Sequence, residues 1–329
     1  MMLKVFLSKF DSMKHSMKKT AAALILMVIG THAAIGGDTG RRPVELADPY
    51  ILLYEGHYYL YGTRYRDGIG VLTSDDMKTW HTPDGGSRCL ALSMDDSFGD
   101  HGFWAPEVYN VGGKFIMYYT ADEHICAAVS DSPAGPFIQA EHAPMVAEKG
   151  IDSHLFIDDD GTPYLFWVRF NHGNEIWMAE LEKDCMTVKE GTMKCCFKAT
   201  QEWERILHRV NEGPEVLKHD GCYYLIYSGN DFRSKDYAVG YATATSPSGP
   251  WIKYDGNPVL HSPGALCGTG HNAMFLDRRG KLMTVFHSHH DNEHVGPRLT
   301  HITRAHFRKN PSGGPDILTF SERYKTLMQ

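Results

Sequence analysis

The chain has 329 residues, 42% of them hydrophobic, with a net charge of −7. That is enough material for one large domain or two small ones. The mild acidity, with no basic stripe after residue 20, argues against a nucleic-acid partner.

The first stretch differs from the rest. "MKHSMKKT" supplies cations, "AAALILMVIG" is a short apolar run, and "THAA" offers small residues for cleavage. A bilayer-spanning helix needs about 20 apolar residues, and this run is too short. It reads as a secretory leader over residues 1–34, cut near Ala33 or Ala34, so residues 40–329 are expected outside the cytoplasm, in a periplasm or the medium. No cysteine follows the run to take a lipid anchor, and no later stretch is long and apolar enough for a membrane helix. The seven cysteines fit no zinc spacing and read as small buried hydrophobes, with at least one unpaired within the chain.

Five stretches then share one layout: a short polar lead-in, an apolar strand, a turn, and an aromatic-rich strand. They are "ADPYILLYEGHYYLYGT" from 47, "WAPEVYNVGGKFIMYYTA" from 104, "IDSHLFIDDDGTPYLFWV" from 151, "EGPEVLKHDGCYYLIYSG" from 212 and "GHNAMFLDRRGKLMTVFHS" from 270. Turns with "EG", "GG", "DG", "DG" and "RG" are hairpin chemistry. A second strand-like segment follows each, such as "GIGVLTSD" and "YAVGYATA". Repeats spaced by about 45 to 60 residues, with no long helical periodicity, predict an all-β five-bladed propeller with four-stranded blades. "DILTF" near the C-terminus can complete the last blade.

A propeller gathers the first strand of every blade around one axis. Aligned by their turns, the repeats place Asp48, Ala105, Asp152, Gly213 and His271 at one level, with Glu212 and Trp104 one residue earlier. Two aspartates, a glutamate and a histidine are therefore expected at one end of the axis. Carboxylates sharing a pocket disfavour each other's ionised forms, so one can stay protonated near neutrality while another is ionised. Glycoside hydrolysis uses such a pair.

"ADPY", "WAPEV", "IDSHLFIDDDG", "EGPEV" and "GTGH", in this order, resemble glycoside hydrolase family 43 from about residue 44 to 310. The resemblance implies a five-bladed propeller that hydrolyses arabinose- or xylose-containing glycans with inversion, and in some members galactans. It makes Asp48 the general base, Glu212 the general acid, and Asp152 the group that orients Glu212 and holds up its pKa. It places Arg298, in "GPRLTHITRAHF", against the sugar and the modulating aspartate. It also places His271 near an axial water cluster or calcium ion; the chemistry itself requires no cofactor.

Other readings of these residues are narrower. Trp104 faces the funnel and suits a sugar-binding wall, with Phe103 and Tyr50 as lesser candidates. Glu107 and Glu215, two residues beyond the shared level, read as structural. "DDDG" reads as a solvated hairpin and "HSHHDNEH" as a polar loop at the rim. The expected substrate is an oligo- or polysaccharide, cleaved at terminal α-L-arabinofuranosyl or β-D-xylosyl groups. A non-catalytic carbohydrate-binding propeller, a galactan-cleaving enzyme and an endo-acting arabinanase or xylanase are the alternatives. A protein-interaction scaffold would not need converging carboxylates, and the Asn-Asp-Pro-Asn-Gly run of fructan-cleaving propellers is missing from "LADPYI".

Overall fold

The central strands "KFIMYYTA", "PYLFWVRF" and "CYYLIYSG" lack polar alternation. Such strands must be covered on both faces, and a ring of sheets packed face to face does this. The computed structural model describes residues 40–329, which form five antiparallel sheets. The leader expected over 1–34 lies outside the described residues.

Blade one holds β1 (Ala47–Tyr54), β2 (His57–Thr63), β3 (Gly68–Ser74) and β4 (Leu90–Ser93). Blade two holds β5 (Trp104–Val111), β6 (Lys114–Ala121) and β7 (His124–Ser130). Blade three holds β8 (Gly150–Ile157), β9 (Pro163–Phe170), β10 (Asn174–Glu180) and β11 (Lys194–Lys198). Blade four holds β12 (Asn211–His219), β13 (Cys222–Gly229), β14 (Ala238–Ala244) and β15 (Ile252–Lys253). Blade five holds β16 (Gly270–Leu276), β17 (Leu282–Ser288), β18 (Leu299–Arg308) and β19 (Ile317–Thr326), so "DILTF" does complete it. The four-stranded expectation fails only in blade two. There a single bridge from Val129 to Ile138 stands where a fourth strand would run.

The core is divided among the junctions between blades. Tyr61 and Val71 meet Phe115 and Met117 between blades one and two. Ile116 and Tyr118, one residue out of phase on the same strand, face Leu165 and Trp167 of blade three. Phe166 and Ile176 meet Leu225 and Tyr227, and Tyr224 and Ile226 meet Phe286 and Leu318. Ile51 and Leu60 close the ring against Phe275 and Val285. The period-two alternation of a strand thus assigns odd and even residues to different neighbours. Backbone bonds complete the closure: Val44 N–H donates to Leu327 at 2.9 Å, and Thr300 N–H donates to Val44 at 3.0 Å.

None of the seven cysteines forms a disulfide. Among the described residues, no helix is long and apolar enough to cross a membrane.

Candidate active site

Each innermost strand carries a β-bulge just after its start, between Ala47 and Tyr50, Trp104 and Glu107, Ile151 and His154, Glu212 and Glu215, and Gly270 and Ala273. At each bulge one residue takes a left-handed backbone: Asp48 (φ 49°), Ala105 (45°), Asp152 (58°), Gly213 (55°) and His271 (45°). These are the five residues the sequence repeat places at one level. A left-handed residue other than glycine costs about 1–2 kcal/mol, and bulges re-aim side chains at functional sites.

What offsets that cost is visible at every junction. The N–H of each left-handed residue donates to a side chain across the junction with the preceding blade. Thr63 Oγ1 accepts from Ala105 at 2.9 Å, Thr120 Oγ1 from Asp152 at 3.1 Å, and Ser228 Oγ from His271 at 2.7 Å. His287 Nδ1 lies 3.1 Å from the Asp48 N–H. In blade three the equivalent position is Val168, opposite Ile151, which has no acceptor. The Asp152 carboxylate itself takes the role and accepts from Gly213 N–H at 3.1 Å.

The six residues expected at the site, Asp48, Trp104, Asp152, Glu212, His271 and Arg298, all line one cavity of about 980 Å³ at this end of the axis. Trp104 is half-buried in its wall. Phe103 instead turns into the core and stacks on Tyr119. Tyr50 leans on Tyr109, outside the cavity lining.

Asp48 is buried among cationic and polar neighbours. Arg298 Nη1 donates to its Oδ1 at 3.0 Å, and the Nδ1 atoms of His271 and His287 lie 3.3 and 3.4 Å from that oxygen. Burial alone would raise the Asp48 carboxyl. Arg298, then the two histidines and Thr63, outweigh it and hold the group well below the usual carboxylate range. Burial also lowers both histidines, His287 the more strongly, with Arg298 adding to it.

Asp152 and Glu212 are displaced the other way. Burial raises Asp152 well above its ordinary value, reinforced by the charges of Glu212 and Asp48. Burial likewise pushes Glu212 up to about 7, with Asp48 adding to it, although the Tyr237 hydroxyl donates to Oε1 at 2.8 Å and opposes the shift. Asn174 Nδ2 donates to the other oxygen at 3.1 Å. The cavity therefore holds one carboxylate kept ionised and a pair that retains a proton near neutrality.

Several sequence-level readings change. Arg298 was expected against the modulating aspartate, but its hydrogen bond goes to Asp48, and its guanidinium stacks over Phe232 at 4.8 Å. The "HSHHDNEH" run is not wholly a rim loop: His287 lies within β17, is fully buried and supports Asp48, while His290 and His294 are exposed. Asp158 of "DDDG" is anchored, accepting from Tyr223 at 2.6 Å and from Lys218 at 2.8 Å. Glu107 and Glu215 are structural as read: Glu107 meets His154 at 2.9 Å, and Glu215 accepts the Met274 N–H with both oxygens.

Asn174 and His287 lie on third and second strands and Tyr237 lies just before β14, so all three fall outside the repeated lead-in. One signal was available in "GTGH". A Cβ on Gly270 would come within 2.2 Å of the Tyr237 ring, so the glycine is what lets Tyr237 reach Glu212.

A calcium ion takes six to eight oxygen ligands. Among the described residues, no group of three converging His, Cys, Asp or Glu donors includes His271, whose Nδ1 faces Asp48 and Asp152. The side chains here do not by themselves form a calcium cage, and His271 is a neighbour of Asp48.

Comparison with known proteins agrees with this geometry. The profile of the glycosyl hydrolases family 43 matches residues 41–311. A solved endo-1,4-β-xylanase from Bacteroides thetaiotaomicron is 44% identical, with a TM-score of 0.80 over 87% of this chain and 97% of that one. The β-D-galactofuranosidase xynD of Aspergillus niger is 24% identical over 81% of each chain. An extracellular exo-α-(1->5)-L-arabinofuranosidase of Streptomyces avermitilis is 25% identical over 86% of this chain and 64% of that one.

Proposed function

This chain belongs to family 43 of the glycosyl hydrolases, and from that premise we propose that it is an exported, inverting enzyme releasing terminal α-L-arabinofuranosyl or β-D-xylosyl groups from polysaccharide side chains. The observation that carries the acid and base assignments is the opposite displacement of two carboxylates in one cavity, Asp48 downward and Glu212 upward. Ionised Asp48 takes a proton from the water that attacks the anomeric carbon. Glu212 gives its proton to the departing glycosidic oxygen as the bond breaks. One proton is gained at Asp48 and one lost at Glu212, and exchange with solvent restores both. Asp152, bonded to the residue beside Glu212, keeps that acid protonated and oriented. Trp104 offers a face to the sugar, and Arg298 holds Asp48 ionised.

A second reading, internal cleavage of xylan, is favoured by the name of the 44%-identical relative and by the size of the cavity. The test is hydrolysis of aryl α-L-arabinofuranoside, aryl β-D-xyloside, xylan, arabinan and galactan by the mature chain and by Glu212→Ala, following the first-formed anomer by NMR. Monosaccharide of inverted configuration supports the first reading, and oligosaccharide products support the second. Retained configuration, or full activity in Glu212→Ala, overturns the assignments. Glycan binding without any turnover would leave a carbohydrate-binding propeller.

A further inference from the structure

We propose that the outer wall of this same cavity selects glycans bearing carboxylates, such as uronic acid branches, through Arg205 and Arg209. The inference rests on the glycosidase reading and names a substrate class for it.

Most charges around the cavity are already matched. Arg298 pairs with Asp48 at 3.0 Å, Asp231 with Arg233 at 2.6 Å, and Glu123 with Lys149 at 2.6 Å. Arg205 and Arg209 also line the cavity, are exposed, and have no ion pair or side-chain hydrogen bond with any described residue. In a chain of net charge −7, two unmatched guanidinium groups four residues apart put positive charge on this wall of the cavity.

The loop that carries them is held from beneath. Glu204, directly before Arg205, is fully buried. Its Oε1 accepts from Lys253 Nζ at 2.5 Å and from the Tyr227 hydroxyl at 2.6 Å. Its Oε2 accepts the N–H groups of Thr200 and Gln201 at 2.6 and 2.7 Å. A buried, multiply bonded ion pair fixes backbone rather than decorating a surface. The two guanidinium groups are therefore displayed from a set position, which lowers the ordering cost of binding.

Beside them, Leu207 and Phe170 line the cavity with 48% and 43% of their surface exposed. Exposed apolar side chains of this kind suit the C–H faces of sugar rings. The planar guanidinium fork matches a carboxylate in two parallel hydrogen bonds. A neutral glycan would use the apolar surface and leave both cations without a partner.

The test measures binding of uronate-bearing xylan and pectic arabinan fragments, and of the same fragments with the carboxyl reduced to an alcohol. Both sets are titrated into the mature chain and into Arg205→Gln/Arg209→Gln. The expected result is about tenfold tighter binding of the acidic form on one backbone at low salt, with the preference shrinking at about 0.5 M salt and lost in the double variant. Equal affinity for acidic and reduced forms on both backbones, or a preference that survives in the double variant, overturns the proposal. Hydrolysis of neutral aryl glycosides in the same preparation separates the two failures: turnover without acid preference sinks only this inference, whereas absence of turnover on every glycan sinks the glycosidase reading beneath it.

Discussion

The N–H of Gly213 donates to Oδ2 of Asp152 across the junction of blades three and four, at 3.1 Å. Elsewhere the matching N–H meets a hydroxyl or a histidine on the preceding blade's second strand. Because Glu212 directly precedes Gly213, this bond ties the modulating carboxylate to the proposed acid. Asp152→Asn keeps an oxygen that can accept the bond but cannot ionise. Asp152 and Glu212 hold a proton between them near neutrality, and with no second carboxyl to ionise beside it Glu212 gives up its proton more readily, so its pKa falls. A general acid must be protonated, so the alkaline limb of the kcat/KM profile moves to lower pH, by about one unit. A fall in rate with an unmoved limb would make Asp152 a structural residue only.

Arg298 controls the opposite limb. Its guanidinium opposes the effect of burial on Asp48 and is the largest of the influences holding that carboxyl down. Arg298→Met removes the cation and lets the Asp48 pKa rise. A general base must be ionised, so the acidic limb of the kcat/KM profile moves to higher pH. Arg298→Lys restores part of the shift, since a point charge replaces the fork. An acidic limb at the same pH in all three proteins would contradict the role given to Arg298.

The part of this site that was legible in the sequence is the part that repeats. Asp48, Asp152, Glu212 and His271 sit in lead-ins of the same shape, and the bulge that turns them inward recurs with that shape. The continuous apolar strands likewise announce burial on both faces. Tyr237 and Asn174 were not legible, because Tyr237 stands just before β14 and Asn174 opens β10, and neither position carries a repeated polar mark. His287 hid in a histidine-rich run that resembled a solvated loop, and only the pairing of β17 with β16 shows it entering the junction.

The loop bearing Arg205 and Arg209 depends on Lys253 for its anchor. Lys253→Met leaves the Glu204 carboxylate buried without its cation, and removing one partner of a buried pair costs about 3–5 kcal/mol. Adding Glu204→Gln removes the stranded charge and recovers much of that loss. Denaturant unfolding of the two variants checks this. Equal stability of the single and double variants would show that the pair is not coupled.

Deeper on the axis, Glu215 gives the fold its own pH dependence. Burial, with Glu107 adding to it and His154 opposing it, raises this carboxyl from 4.5 to about 8. A carboxyl whose folded pKa is raised contributes stability that is fully present below its unfolded value. That contribution is lost as pH rises through the folded one. The window is therefore about pH 4.5 to 8. Glu215→Gln cannot ionise and keeps an oxygen for the Met274 N–H. Buried His287 and His301, whose pKa values burial lowers, act in the opposite sense, but they are common to both proteins and cancel in the comparison. Between pH 5 and pH 8 the Tm of the parent chain should fall more than that of the variant, by about 2 °C or more. Parallel Tm curves across that range would show that Glu215 is not protonated in the folded protein.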